Sequence, residues 1–112
     1  MNKLHQKICQ PCNGKVDSLS ESEIDKLIHQ VDGWNLDVKN KLIYKEFKFK
    51  NFKQTLEFVN KVGEIAEKEN HHPDINFTWG YCKISIQTHK INNLHQNDFI
   101  LAAKIDKLTS FS

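Results

Sequence analysis

Three of the six histidines, His71, His72 and His89, fall between positions 71 and 89, and no other region gathers so many proton-transfer groups. Imidazole is the side chain best suited to both giving and taking a proton near neutral pH. An adjacent pair alone says little, since six histidines in 112 positions give about 0.3 such pairs by chance. On residue type alone, two readings weigh evenly. In one, the three form an acid–base cluster. In the other, His71 caps a helix end, His72 is exposed and His89 closes a strand. Asp98 reads from spacing as a helix-cap residue. If His95 caps a helix, Asp98 stands at its third position, where a carboxylate favours the helix dipole and bonds back to the cap.

Cys9 and Cys12 have the spacing of half a zinc site or of a redox dithiol. No second such pair exists, tetrahedral zinc needs four ligands, and a thioredoxin-like role needs a βαβ setting. The expectation is a quiet reduced pair with no metal. Together with Cys82 they do not suggest a disulfide scaffold.

The elements that must position the histidines follow from periodicity. Residues 1 to about 18, with Pro11 and Gly14, read as an irregular N-terminal arm, and residues 19–112 as one domain. Ser20 and Glu23 have capping-box spacing, Leu19 and Ile24 form a hydrophobic staple, and Ile24, Leu27, Ile28 and Val31 mark a helical face running to Asp32-Gly33. Trp34, Leu36 and Val38 alternate as a half-buried strand. A second strand spans Leu42 to about Lys50, with Ile43, Phe47 and Phe49 on one face, interrupted by Lys45. Asn51 caps a long helix whose inward residues are Phe52, Leu56, Val59, Val62 and Ala66. Pro73 cannot continue it, so it stops near Asn70 and leaves His71-His72 at the junction with a strand or loop. One or two strands lie between Ile75 and Thr88, with His89 on their polar parity. A last helix from about Gln96 turns Phe99, Ala102, Ala103 and Ile105 inward, with His95 as its cap. The order α-β-β-α-β-β-α predicts an α+β fold: an antiparallel four-stranded sheet with three helices packed on one face.

Bulk composition excludes several classes. Sixteen basic and 14 acidic side chains leave a net charge of +2, too small to argue for nucleic acid or a membrane surface. Lys45, Lys48 and Lys50, the densest basic group, read as a solvated strand face. No apolar run approaches a membrane span and no signal-peptide core follows Met1, so a cytoplasmic location is expected.

The string Glu67-Lys68-Glu69-Asn70-His71-His72-Pro73-Asp74, followed by Thr88-His89, resembles the signature of pterin-4a-carbinolamine dehydratases. Gly33-Trp34, Phe47-Lys48-Phe49 and the tail from Asp98 to Ile105 look like that family in order and spacing, over about residues 19–108. Four positions depart from its commonest pattern, Ile75, Trp79, Asn93 and His95, and bear on substrate fit and the last helix cap. The resemblance implies a hydro-lyase that removes water from a 4a-hydroxytetrahydropterin to give quinonoid dihydropterin, in tetrahydrobiopterin recycling after an aromatic amino acid hydroxylase. It implies a site of His71, His72, His89 and Asp98, with His72 and His89 moving protons and His71 holding substrate. Glu67 and Thr88 stand at matching positions for pterin contact, although Glu67 reads equally as plain helix surface. The pterin is substrate, with no cofactor and no metal, and the chain is expected to form a homodimer or homotetramer. Animal relatives also act as dimerisation partners of a transcription factor, so a non-catalytic interaction module is the alternative.

Overall fold

The computed structural model describes residues 4–10 and 18–109. Three helices, α1 (Glu21–Ile28), α2 (Phe52–Glu69) and α3 (Gln96–Thr109), accompany four strands, β1 (Asn35–Asp37), β2 (Leu42–Lys48), β3 (Asp74–Thr78) and β4 (Tyr81–Ile86). The strands form one antiparallel sheet in the order β1-β2-β4-β3. This is the α+β order that periodicity predicts. Pairing Ile43 with Ile86, Phe47 with Cys82 and Ile75 with Ile84 places these residues on the helix-covered face.

Local signals fix the helix ends. The Ser20–Glu23 capping box forms at α1, and Asn51 caps α2 by accepting the N–H of Gln54. α1 closes at Ile28, short of the expected Asp32-Gly33, and Val31 reaches the core from the turn that follows. β1 is shorter than the alternation of Trp34, Leu36 and Val38 suggests. Trp34 is buried, but Leu36 and Val38 are exposed, along a hollow of about 480 Å³ between α1 and β1 that no histidine lines.

The inward face of α2 differs from expectation too. Thr55, Phe58, Val62, Ala66 and Glu69 are buried, whereas Phe52 and Leu56 face outward. The stripe at 55, 58, 62, 66 and 69 keeps helical spacing. Phe52 instead stacks on Phe77 at the rim.

Lys45 belongs to the inner side of β2 and not to a solvated face. Its ammonium bonds Asp106 Oδ1 at 2.9 Å and the Asp32 carbonyl at 2.6 Å, while Trp34 Nε1–H donates to the same Asp106 oxygen. A charge in this position persists because it is paired.

α3 is the axis of the core: every residue from Phe99 to Ala103 is buried. A helix apolar all round must be covered on all sides. The sheet and the other helices leave one side open, and the arm expected to stand outside the core covers it. Residues Leu4–Gln6 form a 3-10 turn against α3, with Leu4 only 2% exposed.

The β3–β4 hairpin turns at Trp79-Gly80. Gly80 has φ +68°, and a Cβ there would lie 2.8 Å from the Phe49 carbonyl, whose own N–H donates to Gly80 O. Gly80→Ala should therefore destabilise by about 1–3 kcal/mol. A denaturant midpoint equal to wild type would show that the hairpin relaxes freely.

Candidate active site

α2 ends where Asn70 takes the left-handed conformation (φ 54°, ψ 40°), a geometry its short side chain tolerates. The His71 N–H still reaches back to the Ala66 carbonyl at 3.1 Å, and Pro73 then turns the chain into β3. His71 and His72 therefore leave the helix end in fixed directions. At the far end of β4, Thr88 pairs with Asn93 across a tight turn that begins at His89.

α3 starts beside that turn. His95 Nδ1 accepts the Asn97 N–H at 2.9 Å, and the His95 N–H donates to Asp98 Oδ2 at 2.9 Å. His95 thus caps the helix as expected and takes no part in the cluster. Asn93 fits its position by bonding Ser18 Oγ and the Leu94 N–H.

Asp98 joins the helix cap to the histidine cluster by hydrogen bonds. Besides the cap bond, its fully buried carboxylate accepts the Thr88 hydroxyl at 2.9 Å and His71 Nε2–H at 2.6 Å. His72 Nε2–H donates to Glu67 Oε2 at 2.5 Å. Two histidine–carboxylate pairs thus stand side by side, and they differ in setting. His71–Asp98 is nearly dry, with side-chain exposures of 12% and 0%, whereas His72–Glu67 is open at 54% and 79%.

His71, His72, Thr88 and His89 share one cleft of about 360 Å³, within the range of small-molecule sites. Glu67 and Asp98 do not line it; each bonds a histidine that does. The Thr88 hydroxyl donates to Asp98, so its hydrogen is directed at the carboxylate. Gln10, Asn70, Gln87, Lys90 and Asn97 complete the lining. Sequence reasoning missed these, because isolated amides and a lone lysine carry no spacing signal.

The cysteines stand apart from this chemistry. Burial and the neighbouring Glu69 carboxylate push the Cys9 thiol up to about 12, and burial pushes Cys82 up to about 11. Both are free, and neither has thiolate character at neutral pH. Cys12 lies outside the described residues. Among the described residues no group of three or more His, Cys, Asp and Glu side chains could hold a metal ion.

The family model described as pterin 4 alpha carbinolamine dehydratase matches residues 17–108. The chain belongs to that family. A Halorhodospira halophila protein provisionally named pterin-4-alpha-carbinolamine dehydratase is 50% identical over 105 residues, covering 94% of this chain and 96% of its own. A Rickettsia canadensis protein of the same provisional name is 50% identical over 107 residues, covering 95% and 97%. Among solved structures, a Brucella melitensis transcriptional coactivator/pterin dehydratase superposes with a TM-score of 0.79 at 28% identity, covering 83% of this chain and 99% of that one. A pterin dehydratase-like protein described as a RuBisCO assembly factor in the alpha-carboxysome gives 0.61 at 26% identity, covering 70% and 90%. No helix among the described residues is long and apolar enough to cross a membrane.

Proposed function

We propose that the chain is a hydro-lyase that dehydrates a 4a-hydroxytetrahydropterin. The observation that carries this reading is the gathering of His71, His72 and His89 around one cleft, two of them each hydrogen-bonded to a carboxylate. In the reaction the C4a–O bond breaks, N5 loses its proton, a C4a=N5 double bond forms and water departs. Hydroxide is a poor leaving group, so one group must protonate the oxygen while another accepts the N5 proton.

His72 and His89 are the proton-transfer pair. Both are exposed to the cleft, so each can exchange its proton with solvent between turnovers. His71, held by the buried Asp98, positions substrate and presents a fixed nitrogen. Glu67 orients the His72 ring, and Thr88 orients Asp98. The pterin is substrate, and its acid–base chemistry needs no cofactor. The resulting quinonoid dihydropterin suits recycling after an aromatic amino acid hydroxylase. A cytoplasmic homo-oligomer fits this role, with strand edges at β1 and β3 available for self-association.

The test is stopped-flow dehydration of freshly generated 4a-hydroxytetrahydropterin. Purified, chelator-treated protein is expected to accelerate it without added cofactor. A rate equal to the buffer blank, from folded protein, overturns the enzyme reading. That outcome would favour a second reading, a non-catalytic interaction module, which the coactivator and assembly-factor descriptions of the two solved neighbours support.

A further inference from the structure

Two polar side chains inside the fold, Glu69 and Asn97, are 9% and 3% exposed and belong to neither histidine–carboxylate pair. Glu69 is the last residue of α2, two positions before His71. Asn97 lies in the first turn of α3, one position before Asp98. They therefore adjoin the two halves of the His71–Asp98 bond, one on each element. Both hold the same short segment, at consecutive residues. Glu69 Oε1 accepts the Cys9 N–H at 2.9 Å. Asn97 Oδ1 accepts the Gln10 N–H at 2.9 Å, and Asn97 Nδ2–H donates to the Gln10 carbonyl at 2.6 Å.

The anchorage continues toward the N-terminus. Lys104 pairs with Glu69 Oε2 at 3.4 Å and donates to the His5 carbonyl at 3.1 Å, while Leu4 is buried beside α3. Glu69, Asn97 and Lys104 reach main-chain atoms of residues 5, 9 and 10, and the Cys9 Sγ–H donates to the Asn97 carbonyl at 3.7 Å. The two bracing residues lie within the span that the family model matches, whereas the braced segment precedes it.

We propose that residues 4–10 are a cross-brace between the end of α2 and the start of α3, and that Glu69 and Asn97 are positioning residues that set His71 against Asp98 through it. The proposal deepens the dehydratase reading and rests on it for the catalytic consequence. A histidine–carboxylate bond of 2.6 Å is sensitive to small displacements of either element, and misplacement of about 1 Å can lower a rate by about a hundredfold. Asn70, His71 and His72, which directly follow α2, and Asn97 of α3 also line the cleft, with Gln10 itself beside Asn97. Burial alone would raise the pKa of Glu69, but the Cys9 N–H and the Lys104 ammonium outweigh it and hold the carboxyl below its usual value. With a lowered folded-state pKa, its contribution is complete at neutral pH and is lost as pH falls through the carboxylate range.

The experiment compares Glu69→Ala, Glu69→Gln and Asp106→Asn in the full chain. Glu69→Ala removes the acceptor for Cys9 and should lower kcat per folded molecule by about ten- to a hundredfold. Glu69→Gln keeps an acceptor oxygen and should recover most of that rate. Asp106→Asn weakens the Lys45–Trp34 network further along α3 and should lower stability without the kcat loss. The proton between His71 and Asp98, read by NMR as a downfield imidazole resonance, should move upfield in Glu69→Ala and stay in place in the other two.

If Glu69→Ala does not fold, amide exchange in the native chain decides. By reciprocity, binding of a 7,8-dihydropterin should slow exchange at Cys9 and Gln10. Folded Glu69→Ala with wild-type kcat and an unmoved resonance overturns the brace. For an unfolded variant, Cys9 and Gln10 exchange that is indifferent to the dihydropterin does the same. A wild-type rate equal to buffer instead overturns the dehydratase reading, and the resonance then still reports whether the segment sets the pair.

Discussion

Replacing His72 or His89 by alanine is expected to lower carbinolamine turnover by about 10²- to 10⁴-fold, the range for loss of one general acid or base. The two sites make clean tests because both residues are exposed, so truncation leaves no cavity in the core. Among the described residues no side chain bonds the His89 ring, and the His72 ring bonds only Glu67. His29→Ala is the control. Its ring bonds the Asp25 carbonyl on the exposed surface of α1 and lies outside the cleft. The measured drop is capped from below by the uncatalysed reaction, so rates must be taken against a buffer blank. Wild-type turnover in His72→Ala and His89→Ala, with His71→Ala inactive, would transfer the proton steps to the buried pair.

The contrast between the two pairs was not legible in the sequence, although their members were. The His71-His72-Pro73 string and the Thr88-His89 pair have local spacing that survives folding, as do the Ser20–Glu23 box and the Asn51 cap. These features depend on neighbours a few residues apart. The features that eluded the sequence depend on partners far along the chain. Lys45 breaks an apolar face because Asp106 waits on α3, and Glu69 is buried because Cys9 arrives from 60 positions away. Phe52 and Leu56 mislead because they are one turn apart, yet the stripe that meets the sheet is rotated toward Thr55 and Phe58. Phe99-Ile100-Leu101-Ala102-Ala103 leaves the middle of α3 no polar side, so some further segment had to cover it, and Leu4 does.

Asp98→Asn should be both less stable and slower, and its two defects can be measured apart. The carboxylate accepts three hydrogen bonds, from Thr88 and the His95 N–H at Oδ2 and from His71 at Oδ1. An asparagine amide offers one acceptor oxygen. If that oxygen keeps the cap and Thr88, its NH₂ group faces His71, and two donors meet unless the imidazole turns its lone pair toward it. His71 is then held in the wrong tautomer, the fault that makes carboxylate-to-amide changes so damaging in histidine-based sites. Turnover should fall by about a hundredfold or more. Removing the negative charge also withdraws support from any imidazolium formed beside it, so the limb of the pH–rate profile governed by that ring should move to lower pH. Stability should drop by about 1–3 kcal/mol from the weakened cap and the mismatched buried group. Asp98→Ala, which leaves the Thr88 hydroxyl and the His71 N–H facing a dry cavity, should lose about 3–5 kcal/mol. Chemical denaturation measured beside the pH–rate profile separates these effects. If Asp98→Asn loses stability yet keeps its rate per folded molecule and an unshifted profile, the carboxylate is a helix cap that happens to touch His71. A profile displaced toward acid, with most of the protein still folded, makes the same carboxylate part of the catalytic site through His71.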